Sequence, residues 1–91
     1  MFSFSCYVSY IYLDTFHIGY SLPETNQVLL KIYNIRGKQI ITLVDKFQTE
    51  GRKLVVWNGL NAQGQKVLSG IYIYQINAGH FSESRKMSMV Q

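Results

Sequence analysis

Apolar side chains recur at every second position along most of this chain, and this period restricts the fold more than any other feature of the sequence. In the segment 15–22, Phe16, Ile18, Tyr20 and Leu22 alternate with small or polar residues. Successive side chains of an extended strand point to opposite faces, so this pattern predicts a strand with one buried face. No segment shows the period of about 3.6 residues that marks an amphipathic helix, and we therefore expect an all-β protein.

The same period divides the chain into six or seven short strands separated by turn signals. Beyond the first segment, strands are predicted over 27–33, 38–44, 52–59, 70–78 and 81–90. Gly37 supplies a positive φ for a tight turn, and a loop is expected from Asp45 to Gly51. Residues 38–44 are apolar on both faces, which predicts either a central strand or a strand with a bulge. Turn signals about every 8–12 residues favour an antiparallel β-sandwich or a small barrel.

The length and composition suit one small globular domain. Ninety-one residues allow about two thirds of the surface to be buried on folding. Apolar residues make up 47% of the chain and charged residues 15%, which excludes a disordered tail. The net charge is +4, and most of the Lys and Arg residues occur in short pairs scattered along the chain, mostly beside predicted turns. We interpret these pairs as solvated positions and edge-strand protection, and we expect no nucleic-acid partner.

The first thirteen residues carry no charge and also follow the two-residue period. They are too short to span a bilayer, which takes about 20 residues, and they lack the basic start and cleavage site of a secretory signal. Two interpretations of residues 1–14 stay open. They form either an N-terminal strand, or a segment that is a linker or is not native to the module. Residues 15–91 are predicted to be the folded module, and no transmembrane segment is expected.

The sequence holds little that could carry a reaction. Gly59 and Gly64 approach the spacing of a phosphate-binding loop, but the lysine comes one place late and no Ser or Thr follows it. The acidic residues are scattered, and His17 and His80 have no partner at a metal-binding spacing. A lone Cys6 excludes an internal disulfide and is expected to be a small apolar residue. We therefore expect no enzyme activity, no metal and no cofactor.

The polar loop after the single tryptophan is the segment that most resembles a site. Trp57 is expected to fill the core at the end of its strand, and Asn58 and Gly59 to turn the chain sharply away from it. Gly64 marks a second turn, and Gly70 is expected where a side chain would collide with the neighbouring sheet. The loop is predicted to be scaffold, with a weak cation or glycan site on its Asn and Gln groups as the alternative.

The tyrosines near the end of the chain raise the question of base stacking, as in an oligonucleotide-binding barrel. Tyr72 and Tyr74 share their parity with Ile76 and Ala78. This alignment favours packing in the core over stacking on nucleic-acid bases. A glycan- or nucleic-acid-binding β-domain remains an alternative.

Most of the chain resembles a known family of modules. The matching pieces are IGYSLPE at 18–24, VLLKIYNIRGKQIITLV at 28–44, the segment 50–79 with its WNG and SGIYIY motifs, and FSESRKM at 81–87. In this order and spacing they resemble the immunoglobulin-like module that ends many secreted bacterial proteins. Related modules are the type A C-terminal sorting domain of the type IX secretion system and the β-domain of the flagellar hook-capping protein. The resemblance implies an immunoglobulin-like antiparallel β-sandwich of six to seven strands.

For the sorting-domain branch, the resemblance implies a non-catalytic C-terminal module for secretion or surface anchoring of attached cargo. Its partner would be the outer-membrane translocation machinery, and its location the bacterial cell surface or exterior, reached through the periplasm. The residues that match the recognition motifs are Gly70 and Tyr72 in the G-x-Y strand and Lys86 and Met87 in the last strand. The competing interpretation makes Tyr72 and Met87 core residues and Lys86 an exposed strand cation.

The hook-capping branch implies a different function. There the module would be a structural assembly unit that works through a self-complementary sheet edge and protein–protein contacts. Fold alone does not choose between these functions, because both depend on the surface of the sandwich.

Overall fold

Seven β-strands and no helix form the described part of the chain, residues 5–12 and 15–90 of a computed structural model. In chain order the strands are β1 (Ser5–Tyr12), β2 (Thr15–Leu22), β3 (Asn26–Asn34), β4 (Gln39–Gln48), β5 (Gly51–Trp57), β6 (Gly70–Ala78) and β7 (Phe81–Met89). They form a three-stranded sheet in the order β1-β2-β5 and a four-stranded sheet in the order β4-β3-β6-β7, both antiparallel. The predicted immunoglobulin-like antiparallel β-sandwich of six to seven strands is confirmed.

The alternating apolar side chains of both sheets fill the space between them. Tyr20 and Trp57 come from the three-stranded sheet, Leu30 and Ile76 from the four-stranded one, and all four are fully buried. The buried cluster consists of Phe16, Ile18, Tyr20, Leu22, Val28, Leu30, Ile32, Val44, Trp57, Val67, Tyr72, Tyr74, Ile76, Ala78, Met87 and Met89. Removing this apolar surface from water is the main force that holds the sheets together.

The fourth strand is a bulged edge strand. Its pairing with β3 shifts register between residues 30 and 31 and again between residues 32 and 33. Of the two alternatives for the doubly apolar segment 38–44, the bulged strand is therefore the correct one. Each bulge reverses the face on which the following side chains lie, which explains why Ile40, Ile41 and Leu43 all pack against the core.

The loop predicted from Asp45 to Gly51 is wrong. β4 continues to Gln48, and only residues 49 and 50 connect it to β5. Residues 45–48 pair with Asn26–Leu29 of β3, which supplies backbone partners that their polar composition does not signal. The short connection joins the two sheets, so the edges β4 and β5 lie on the same side of the sandwich.

The opposite side of the sandwich is formed by β1 and β7, which contact each other. The backbone of β1 pairs with β2, with a register shift between Tyr7 and Ser9. Residues 1–4 and 13–14 of the predicted N-terminal segment lie outside the described residues. The interpretation of residues 1–14 as a linker or non-native segment stays a prediction.

Candidate functional site

Trp57 is enclosed at the end of β5, where the strand leaves the three-stranded sheet. Its side chain is 0% exposed. The indole stacks with Phe16 at a centroid distance of 6.2 Å and meets Tyr72 edge-on at 5.4 Å. Its Nε1–H donates to the Leu60 carbonyl at 2.9 Å, so the polar atom of the indole is satisfied. Burial of the ring thus fixes the start of the loop that follows.

The next two residues turn the chain away from the sheet. The Asn58 side-chain Oδ1 accepts from the Leu60 N–H at 3.3 Å. Gly59 is buried and has a φ of 78°, a conformation that costs a side-chain-bearing residue strain. Its carbonyl accepts from the Val67 N–H at 2.9 Å, and this bond closes the base of the loop.

Within the loop, Asn61 organises a second turn. Its side-chain Oδ1 accepts from the N–H groups of Gln63 and Gln65, both at 3.0 Å. The backbone closes the same turn, because the Asn61 N–H donates to the Gln65 carbonyl and the Gly64 N–H to the Asn61 carbonyl. Gly64 has a φ of 80°, which places it in the left-handed region.

The β3–β4 hairpin repeats this construction. The Oδ1 of Asn34 accepts from the N–H groups of Arg36 and Lys38, and the Gly37 N–H donates to the Asn34 carbonyl. Gly37 has a φ of 85°. Two Asn-x-x-Gly segments therefore fold into the same turn. From the sequence alone, the two turns were treated separately, and this shared pattern of an Asn three residues before a Gly was not identified.

The loop is also fastened to the rest of the molecule. The Ala62 N–H donates to the Ile40 carbonyl of β4 at 3.1 Å, and the Tyr72 hydroxyl donates to the Leu68 carbonyl at 2.7 Å. The amide oxygens of Asn58 and Asn61 accept backbone N–H groups and point into the turns. These contacts favour the scaffold interpretation of the loop over a cation or glycan site.

The four residues that match the recognition motifs of the sorting domains do not lie on one surface. Tyr72 and Met87 face each other across β6 and β7 and are 7% and 6% exposed. Lys86 lies on the opposite face, opposite Ile73, beside a shallow depression of about 200 Å³ that Ser84 and Arg85 also line. Strand alternation places consecutive residues on opposite faces, so it separates Lys86 from Met87.

Gly70 is exposed at the start of β6. A Cβ added there would meet no atom within 4 Å. The prediction that a side chain at Gly70 would collide with the neighbouring sheet is therefore wrong. The glycine is not explained by a close approach of two backbones.

Burial raises the pKa of the Tyr72 hydroxyl above its ordinary value of 10.0. The folded state therefore holds this proton more tightly than the unfolded chain, and the stability gained below pH 10 is lost as the pH rises through the raised pKa. We expect Tyr72→Phe to flatten the fall in stability above pH 10. At neutral pH it should cost about 1 kcal/mol, because the hydrogen bond to Leu68 is lost. Urea unfolding across this pH range measures both effects, and equal slopes for the two proteins would contradict the assignment.

Ionisable groups do not gather into a reaction centre in the described residues. Among them, no three His, Cys, Asp or Glu side chains come together to hold a metal ion. The His17 ring nitrogen is 3.0 Å from the Thr15 hydroxyl, and His80 is exposed in the β6–β7 turn. No helix in the described part of the chain is long and apolar enough to cross a bilayer.

An exposed apolar row on β5 is the surface feature that the sequence left undecided. Leu54 is 61% exposed and Val56 47% exposed, and both lie on the outer face of the three-stranded sheet. The alternation showed apolar residues on both faces of this strand. It did not show that β5 is an edge strand whose outer face is open.

Comparisons with known proteins identify a similar fold but do not assign the chain to a family. No protein-family model matches the chain, and no curated protein does. Among solved structures, the crystal structure of FlgD from P. aeruginosa is similar, with a TM-score of 0.66 and 20% sequence identity. The match covers 82% of this chain but 58% of the FlgD chain, so this chain spans less than two thirds of that protein. The fold is thus similar to that of a flagellar hook-capping protein, and the sorting-domain half of the resemblance finds no support in these comparisons.

Proposed function

We propose that this β-sandwich is a non-catalytic structural assembly module that acts through protein–protein contacts at the surface of its sheets. The observation that carries the proposal is the exposed apolar row of Leu54 and Val56 on the edge strand β5. The structural likeness to the hook-capping protein FlgD supports it, because that protein takes part in flagellar assembly.

The distribution of polar contacts supports the same proposal. The loop amides that resemble a ligand site are used to hold the turns, as the bonds to Asn58 and Asn61 show. Apolar surface left in water on β5 is instead stabilised by burial against another protein, at about 25 cal/mol for each Å² removed from solvent. A module of this kind needs a rigid framework and one open surface, and no reactive group.

Sedimentation velocity from micromolar to millimolar protein tests this function. We expect the wild-type chain to associate as its concentration rises, because contact would bury Leu54 and Val56. The double variant Leu54→Lys and Val56→Lys should remain monomeric. Leu68→Lys is the matched control, since Leu68 is 83% exposed on the loop and should be neutral.

A wild-type chain that stays monomeric throughout this range would contradict the proposed function. Association that survives the double substitution would show that the apolar row on β5 is not the assembly surface. Circular dichroism of each variant establishes that the fold is retained.

Secretion or surface anchoring, with a location at the bacterial cell surface or exterior, stays a prediction from the resemblance. Of the four residues that match the recognition motifs, Gly70 and Lys86 are exposed, whereas Tyr72 and Met87 are buried. Direct contact with translocation machinery would therefore depend on the first two.

A further inference from the structure

The edges of the two sheets differ in how well they are protected against a further strand. β1 and β4 both carry register shifts, one in β1 and two where β4 pairs with β3. On β7, Glu83 and Arg85 occupy alternate positions and form an ion pair of 3.3 Å, with the Arg85 side chain 53% exposed. Bulges and charged side chains are the usual means by which edge strands avoid pairing with another strand.

The edge of β5 combines a regular backbone with an exposed apolar row. Its pairing with β2 runs without a register shift from Trp57 to Gly51, so the strand is regular along its whole length. Its outer row presents Leu54 and Val56 to solvent. In its inner row, Lys53 is the one charge, and its Nζ donates to the Thr49 hydroxyl of the same chain at 3.1 Å.

We propose that β5 pairs antiparallel with β5 of a second copy of this chain, about a two-fold axis at Leu54. This inference rests on the proposed assembly function and names its partner. The pairing would join the two three-stranded sheets into one continuous sheet of six strands. Such a contact is closed, because each copy offers the same edge to the other.

The strand itself selects this register. Leu54 is the central residue of Gly51–Trp57, so an axis there pairs all seven residues of the strand. It sets Leu54 opposite Leu54, Arg52 opposite Val56, and Lys53 opposite Val55. An axis at Arg52 or Lys53 would instead place two like charges directly opposite, which is destabilising in a sheet.

The charges do not prevent pairing with a second copy in this register, although the chain is basic. With the axis at Leu54, the two Arg52 positions are four residues apart along the new pair of strands, or about 14 Å, and charges at this distance are largely screened at physiological ionic strength, where the Debye length is about 8 Å. The two Lys53 positions are two residues apart, or about 7 Å, and each Nζ donates to the Thr49 hydroxyl of its own chain, which precedes β5. Each cation then lies beside a valine of the other copy, whose methyl groups can cover its aliphatic stem.

Cysteine cross-linking tests both the edge and the register. In a Cys6→Ser background, each introduced thiol is the only one in the chain. Leu54→Cys should form a disulfide-linked dimer by itself, because directly opposite residues have Cβ atoms about 4.5–5.5 Å apart. Arg52→Cys and Val56→Cys should each fail alone and should form a mixed dimer when the two proteins are combined.

The expected rate of cross-linking for Leu54→Cys, and for the mixture, is about tenfold or more above that of Leu68→Cys, since pairing raises the effective concentration of the thiols. Gel electrophoresis without reductant and the mass of the mixed dimer give the readout, and thermal unfolding establishes that each variant folds.

Three other outcomes would overturn the inference. Rapid cross-linking of Arg52→Cys alone would indicate a different register. An absence of cross-linking, with association that the double lysine substitution still abolishes, would reject β5–β5 pairing and leave the assembly function standing. A monomeric chain in both experiments would remove the inference and the function together.

Discussion

Replacing Trp57 with Ala is expected to lower the free energy of unfolding by about 3–5 kcal/mol, the range found for large buried aromatic residues. The change removes a fully buried indole together with its contacts to Phe16 and Tyr72. It also removes the donor to the Leu60 carbonyl, so the loop loses an attachment. A small domain has about 5–15 kcal/mol of stability in total, so this loss would leave a marginal fold. Urea unfolding followed by far-ultraviolet circular dichroism measures it without needing the tryptophan signal.

Two variants separate the causes of this loss. Val56→Ala, on the exposed face of the same strand, should change stability by about 0.5 kcal/mol or less. Trp57→Phe keeps an aromatic ring in the core and removes the Nε1–H donor, so its effect should lie between the other two. If Trp57→Ala were as mild as Val56→Ala, the indole would not be a principal element of the core.

The regular strands could be predicted because one local rule decides them. Where a strand carries no bulge of its own and has one face toward the other sheet, parity alone identifies the buried apolar side chains. This holds for Phe16, Ile18, Tyr20 and Leu22 in β2, which are at most 3% exposed. The same rule found the buried face of β6.

The fourth strand could not be predicted in the same way, because its structure depends on its partner. The two register shifts against β3 break the parity, and the polar residues at 45–48 are held in the strand by their pairing with β3. Composition there indicates a loop, and tertiary hydrogen bonding overrides it. A bulge in an edge strand leaves little trace in the sequence of that strand alone.

The candidate surface was missed for a similar reason. Leu54 and Val56 look like the second face of a buried strand, and their exposure follows from the position of β5 at the edge of a sheet. Strand order is set by long-range pairing, which local alternation does not contain. The two Asn-x-x-Gly turns are the opposite case. Their signal is local, and a comparison of the segments at Asn34 and Asn61 would have found it.

Asn61→Ala is expected to lower the free energy of unfolding by about 2 kcal/mol, because two backbone N–H groups lose their acceptor and each such bond contributes about 1 kcal/mol. The N–H groups concerned belong to Gln63 and Gln65. Asn34→Ala should cause a similar loss, since Asn34 makes the same pair of bonds in the β3–β4 turn. Urea unfolding of both variants checks the parallel.

The matched control for this prediction is Gln63→Ala, at an exposed position of the same turn, which should change stability by about 0.5 kcal/mol or less. Asn61→Asp offers a second comparison, because a carboxylate oxygen can accept from the same two N–H groups and should retain most of the stability. If Asn61→Ala were as mild as Gln63→Ala, the side-chain bonds of Asn61 would be incidental to a turn held by its backbone and by Gly64. If Asn61→Asp were as harmful as Asn61→Ala, acceptance at Oδ1 could not be the cause of the loss. Either result would reopen the loop amides as groups available to a ligand, and it would weaken the argument that the function of this module lies on its sheets.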